Sequence, residues 1–365
     1  MTLLGAGFFT RTAIVVASTL ALAACGGSGD ATLSEGAGGG PEITGAGGST
    51  THALTASSVA SSSSATAGTG GAAPSTGPYP FVLAHGFFGF EEFAGLDFET
   101  YFYGVKDRLA KDGEIVDTPT VDPFNDSDYR GQQLLARVQD FLAATGASKV
   151  NLIGHSQGGL DARVVANLRP DLVASVVTVA TPHHGSPIGD IAMKLLANPN
   201  SQQIIDDLVK LVGAPLYDQV GDKTSITKAF ELFSQPGITA FNKAHPDSPG
   251  VFYASIAGRS SLHWSGGDCT PDKSLPFISG FDSNLDPIDP ALSLFGVVLS
   301  GTDDTANDGL VRVKDGRWGE FWGCVPADHL DEIGQLLGDD PGLGNDWNHL
   351  DFYSALIKYI RSRGF

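Results

Sequence analysis

Ile153-Gly154-His155-Ser156-Gln157-Gly158-Gly159-Leu160-Asp161 is the stretch that decides how the chain is read. Val150-Asn151-Leu152-Ile153 runs into it as a buried strand, and Ala162-Arg163-Val164-Val165-Ala166-Asn167-Leu168 leaves it as a helix. The centre fits G-x-S-x-G, a serine lifted on a sharp strand-to-helix turn. A serine held there has a strained backbone, so small residues are needed two positions to either side. Gly154 and Gly158 supply them, and Gly159 lets the new helix lie close to the strand. The helix N-terminus then points at Ser156, where its free N–H groups favour a developing oxyanion. Without a strand before and a helix after, the motif would be a Gly-rich turn.

Outward from this turn, strands and helices alternate. Tyr79-Pro80-Phe81-Val82-Leu83-Ala84 is an apolar run predicted as a central strand, and it ends in His85-Gly86-Phe87-Phe88-Gly89. Residues 103–112 read as an amphipathic helix with Val105 and Leu109 inward, stopped by Gly113, and residues 114–117 as a strand. Residues 132–145 form the clearest helix. Leu134, Leu135, Val138, Phe141 and Leu142 recur on one face, and Gly146 stops it. Residues 172–179 are a buried strand, and residues 251–257 resume the sheet. From 187 to about 240 the pattern is helical with no strand, an insertion positioned to cap the serine. Residues 266–300 read as loop-rich, and residues 352–361 as the last helix. Buried strands in such alternation predict a doubly wound, mostly parallel sheet with helices on both faces.

Forty-one acidic against 22 basic residues give a net charge of −19, which argues against nucleic acid as a partner. Residues 1–25 read as a targeting segment. Arg11 precedes an apolar run from Ala13 to Ala24, too short to span a bilayer, that ends in Leu22-Ala23-Ala24-Cys25. This ending resembles a bacterial lipobox, in which Cys25 becomes a lipidated N-terminus. Gly26 follows where Asp would signal retention at the inner membrane, so an exported outer-membrane lipoprotein is expected, with a cleaved signal peptide and a secreted protein as the alternative. Residues 26–77 are mostly Gly, Ser, Thr and Ala and cannot bury a core, so they read as a flexible tether to a catalytic domain over 78–365. Cys269 and Cys324 remain, and in an oxidising compartment the pair reads as one disulfide, with a free buried pair as the alternative.

A serine nucleophile needs a base, an acid to orient it and an oxyanion hole. Asn307-Asp308-Gly309-Leu310-Val311 offers an acid in a tight turn, and Pro326-Ala327-Asp328-His329-Leu330-Asp331 offers a histidine after it. That is the chain order Ser, Asp, His of the α/β-hydrolases.

From Tyr79 onward the chain resembles the bacterial secreted triacylglycerol lipases of the α/β-hydrolase superfamily. The segments that carry the resemblance include Leu83-Ala84-His85-Gly86, Arg130-Gly131-Gln132-Gln133-Leu134-Leu135 and Lys149 to Gly159 through the elbow. Further ones are Arg169-Pro170-Asp171-Leu172, Thr181-Pro182-His183, Asn307 to Val311, and His329-Leu330-Asp331-Glu332-Ile333 with Gln335-Leu336-Leu337-Gly338. The span 187–240 matches poorly. The resemblance implies an α/β-hydrolase fold and hydrolysis of acylglycerol esters. It makes Ser156 the nucleophile, Asp308 the acid and His329 the base. Asn348-His349-Leu350-Asp351 rivals the base assignment, but only His329 is followed by the family's Asp-Glu-Ile-x-Gln-Leu-Leu-Gly. The oxyanion donors are expected to be the backbone N–H groups of Phe87 and Gln157, with Phe87, Phe88, Phe90 and Phe93 available to line an acyl groove.

The resemblance also implies a structural Ca²⁺, held by Asp286 and Asp331 with the carbonyls of Gln335 and Asp339; Asp289 and Asp340 are alternatives. Hard oxygen donors from two loops suit that ion. No organic cofactor is expected. A dedicated lipase foldase chaperone is an implied partner, although a lipid anchor here replaces the family's free secretion. Cys324 stands five residues before His329, so a Cys269–Cys324 bond would clamp the same loop. The rival readings are a short-chain esterase or polyester hydrolase on the same triad, an acyltransferase, and an inactive hydrolase fold serving as a binding module.

Overall fold

A computed structural model describes residues 78–89, 100–197, 220–260, 268–290, 292–300, 305–335, 338–339, 341–342 and 344–365, all within one compact unit, Pro74–Phe365. The lipobox and tether, residues 1–77, lie outside the described residues, as do Phe90, Phe93 and Asp340. The frame is a parallel sheet of β1 (Phe81–Ala84), β2 (Val116–Asp117), β3 (Val150–His155), β4 (Val173–Val179), β5 (Phe252–Gly258) and β6 (Glu320–Val325). Their order is β2-β1-β3-β4-β5-β6. The winding reverses between β1 and β3, and ligands of open α/β sheets sit beyond the carboxyl ends of strands at such a switch point. His85 leaves the end of β1 there, and Ser156 leaves the end of β3.

The apolar runs are continuous because both faces of the sheet are covered. Phe81, Leu83 and Ile153 face one core, which is closed by α1 (Val105–Lys111) and the terminal helix. Val82, Val150 and Leu152 face the other, closed by α2 (Ser127–Thr145) and α3 (Gln157–Leu168). Each of these fully buried apolar side chains contributes roughly 1.5–3 kcal/mol. The remaining helices are α4 (Pro187–Leu195), α5 (Ile226–Phe233), α6 (Gln235–Ala244), α7 (Pro276–Ser279), α8 (Ser293–Ser300), α9 (Val313–Gly316) and α10 (His349–Ser362). The first three of these occupy the span expected to cap the serine.

The main departures from the expectation are in three elements. Helix α2 begins at Ser127, five residues earlier than the apolar pattern predicts, because Asp126 caps it by accepting from the Tyr129 N–H at 2.8 Å. Its internal Gly131 is there for packing: a Cβ would stand 2.5 Å from the Val164 Cβ of α3. Strand β6 was not anticipated. Its register against β5 shifts between Ser255 and Ala257, and Gly323 within it has φ of 110°, so a bulge interrupts the alternation. Helix α8 lies where loops were expected; its sequence is too apolar for an amphipathic stripe to show. A disulfide joins Cys269 to Cys324, tying the loop before α7 to the end of β6.

Candidate active site

Ser156 sits between β3 and α3 with φ of 54°, in the left-handed region that non-glycine residues avoid. The glycines around it explain how the turn closes. A Cβ on Gly158 would run into the carbonyl of Ala84, and one on Gly159 into Thr181. Gly86, in the loop after β1, is equally confined, since a Cβ there would lie 2.6 Å from the Ser156 Cβ. Phe87 follows Gly86 in this confined loop, while Gln157 opens α3 with an N–H that has no intrahelical acceptor.

The loop after β1 is held from behind. The ring of His85 accepts from the Val121 N–H at Nε2 (3.0 Å) and meets the Gly86 carbonyl at Nδ1 (2.9 Å). Burial, then the Arg130 guanidinium, lowers the pKa of His85 to about 3, so it is a neutral strut. Arg130 donates to the carbonyls of His85 at 2.7 Å and Gly86 at 3.2 Å. The Phe87 ring meets Phe230 and Phe233 of α5, at centroid distances of 5.9 and 6.1 Å. Phe88 is 47% exposed and packs edge-on against Phe87 and Phe124.

Asp308 and His329 are brought together. His329 Nδ1 lies 2.9 Å from Asp308 Oδ2. The other oxygen, Oδ1, accepts from the N–H groups of Leu310 at 2.8 Å and Val311 at 2.6 Å, and Gly309 makes the turn possible at φ of 94°. The His329 ring packs on that of His155, next to Ser156, with centroids 4.6 Å apart. The rival, His349, is elsewhere: its Nε2 lies 2.9 Å from the Tyr103 carbonyl at the start of α10. His183 is a buried turn residue, bonded at Nε2 to Thr178 Oγ1 at 2.9 Å and stacked on Trp318.

Asp286 and Asp331 also meet, and Asp328 joins them; ligand oxygens of the three lie within 4.8 Å of one another. Burial first, then the neighbouring carboxylates, raises Asp286 to about 8 and Asp331 to about 9. Both oxygens of Asp286 are buried and receive no hydrogen bond. A convergent set of hard oxygens with an orphaned carboxylate fits a divalent cation. Asp328 spends Oδ1 on the Leu330 and Asp331 N–H groups and Oδ2 on that of Asp289. Asp339 is exposed but adds to the field on Asp331. The Gln335 side chain donates to the carbonyls of Thr100 and Tyr101.

Several buried partners escaped the sequence reading. Glu332 Oε2 lies 2.8 Å from His155 Nε2, Tyr101 Oη lies 2.8 Å from His155 Nδ1, and Arg130 is paired with Asp161. Asp161 and Glu332 stand inside the quoted motifs, but motif position does not reveal a partner far along the chain.

An α/β hydrolase fold model matches residues 79–208. A triacylglycerol lipase of Vibrio cholerae is 36% identical over 270 residues, covering 71% of this chain and 81% of that protein. One from Burkholderia plantarii is 33% identical over 292 residues, covering 71% and 80%, and one from Pseudomonas fragi is 31% identical over 305, covering 78% and 97%. Among solved structures, Staphylococcus hyicus lipase aligns with a TM-score of 0.57 at 17% identity, covering 78% of this chain and 95% of that one. The last likeness concerns the fold alone.

Proposed function

The chain belongs to the bacterial triacylglycerol lipases on the α/β-hydrolase fold, and from that premise we propose the residues through which it cleaves an ester. As His329 Nε2 takes the Ser156 proton, Oγ attacks the ester carbonyl carbon. Asp308 holds the imidazole by its Nδ1–H and stabilises the cation that forms. Charge on the carbonyl oxygen is met by the N–H groups of Phe87 and Gln157; loss of one such donor costs about 3 kcal/mol of transition-state stabilisation. The bond to the alcohol breaks, His329 returns the proton to the departing oxygen, and water repeats the sequence to release the fatty acid.

The observation that supports this most is the Asp308 carboxylate itself. One oxygen is taken up by two backbone N–H groups, which leaves the other for His329 Nδ1 at 2.9 Å. Ser156→Ala is expected to remain folded, lose hydrolysis and take up no fluorophosphonate. An active Ser156→Ala, or inactivation by His349→Ala but not by His329→Ala, would overturn the assignment. Rates over esters of increasing acyl length separate a lipase preference from that of a short-chain esterase.

Asp286 and Asp331, with Asp328 beside them, would hold a Ca²⁺ that ties two loops and so keeps His329 in register. The domain is placed in the cell envelope by a lipid on Cys25 and the tether of residues 26–77. A foldase chaperone is a partner to be tested by the yield of active enzyme with and without a lipase foldase; equal yields would remove it.

A further inference from the structure

The three segments that carry the proposed chemistry are joined by one buried row of side chains, none of which touches substrate in that scheme. Tyr101 Oη lies against the loop after β1: it accepts from the Gly86 N–H, and a Cβ on Gly86 would come within 2.5 Å of it. On its other side the hydroxyl lies 2.8 Å from His155 Nδ1. His155 precedes the serine, and its Nε2 lies 2.8 Å from Glu332 Oε2, three residues after His329. Tyr101 is 7% exposed, and His155 and Glu332 are fully buried.

We propose that Tyr101 is a positioning residue for ester hydrolysis: its hydroxyl ties the loop bearing the Phe87 N–H to His155, and through His155 to Glu332 on the loop bearing His329. The inference rests on the serine mechanism proposed above.

The hydroxyl suits this place because it can accept and donate at once. With Gly86 N–H as donor to Oη, the phenolic proton is free to go to His155 Nδ1, and the Nε2 proton to Glu332. The bonds then run in one direction across the three segments, and the hydroxyl and both ring nitrogens of His155 are paired, which matters most where water is excluded. Tyr101 is itself fixed. Gln335 Nε2 donates to its carbonyl at 3.0 Å and to that of Thr100 at 2.6 Å, and Tyr103 N–H donates to the Ile333 carbonyl at 3.0 Å. Its backbone is thus pinned to the segment after His329, while its hydroxyl reaches the oxyanion loop. A displaced Phe87 N–H would weaken transition-state binding more than substrate binding, because donors aimed at a developing charge act mainly when that charge forms.

Tyr101→Phe removes one oxygen atom and keeps the ring against Phe102 and His85. We expect kcat, per site titrated with fluorophosphonate, to fall about 10- to 100-fold, with KM changed less than about twofold. Affinity for a boronic acid that mimics the tetrahedral intermediate should fall by the same factor as kcat/KM. His155→Gln, an independent break in the row, should give a loss of similar size. The double variant should lose no more than the worse single one, as for residues acting as a unit. A role in packing alone would lower the melting temperature and leave kcat per titrated site and boronate affinity untouched. That outcome, or losses that multiply in the double variant, would overturn the proposal. A wild-type protein that takes up no phosphonate would instead fail the serine mechanism, whatever Tyr101 does.

Discussion

Arg130 and Asp161 form a fully buried ion pair at 2.8 Å that connects the loop after β1 with helix α3. The guanidinium reaches in three directions: to Asp161, to the Asp122 carbonyl at 2.9 Å, and to the carbonyls of His85 and Gly86. Gly86 C=O and Phe87 N–H belong to the same peptide group, so Arg130 grips from behind the unit proposed to donate to the oxyanion.

Removing the cation therefore has two effects. Arg130→Met leaves the Asp161 carboxylate buried and unpaired, which costs about 3–5 kcal/mol. Arg130→Met with Asp161→Asn should recover a large part of that stability in denaturant unfolding. The carbonyls of His85 and Gly86 stay ungripped in both variants, so activity per folded molecule should remain low. An unfolding midpoint unmoved in Arg130→Met would show that the pair contributes nothing.

The serine turn was legible because its constraints are steric and local. Gly158 is required by its approach to the Ala84 carbonyl and Gly154 by its approach to the Gly159 backbone, between a strand and a helix that follow each other at once. The acid turn was legible for a similar reason: Asp308 is bonded to N–H groups two and three residues on. Tyr101, Arg130 and Glu332 were not, because their partners lie 54, 31 and 177 positions away and no periodicity records such pairs. Strand β6 was hidden by its own bulge. Asp328 was read as part of a histidine motif, yet its backbone bonds shape the turn on which Asp331 meets Asp286.

The proposed attachment to the membrane rests on Leu22-Ala23-Ala24-Cys25 and the tether that follows. No described helix is long and apolar enough to cross a bilayer. A single acyl chain binds only reversibly, whereas several chains on one cysteine hold firmly. Cys25→Ser is expected to move the protein from the membrane fraction to the soluble extract with its hydrolytic rate on a soluble ester unchanged. Equal partition of variant and wild type would remove the lipid.

The acidic cluster makes a prediction that joins pH to metal. Burial, and then the neighbouring carboxylates, lift Asp286 to about 8 and Asp331 to about 9 when no cation balances them. An unfolded aspartate titrates near about 4, so between these values the folded state holds more protons than the unfolded one. Stability from these groups is then full below the unfolded pKa and is lost as pH rises toward the folded values. In chelator, the melting temperature should therefore decline from about pH 5 to about pH 8. Calcium held by the ionised carboxylates of the folded state, as proposed, would add about 2.7 kcal/mol at a hundredfold excess over its Kd. It should raise the melting temperature most at the alkaline end and flatten the decline. Magnesium should do this less well, because it gives up its water reluctantly. Asp331→Asn removes one charge from the cluster and a ligand with it. Its melting temperature should depend less on pH in chelator and respond little to calcium. A wild-type melting curve that ignores chelator and calcium across this range, with no calcium in the purified protein by elemental analysis, would rule the site out.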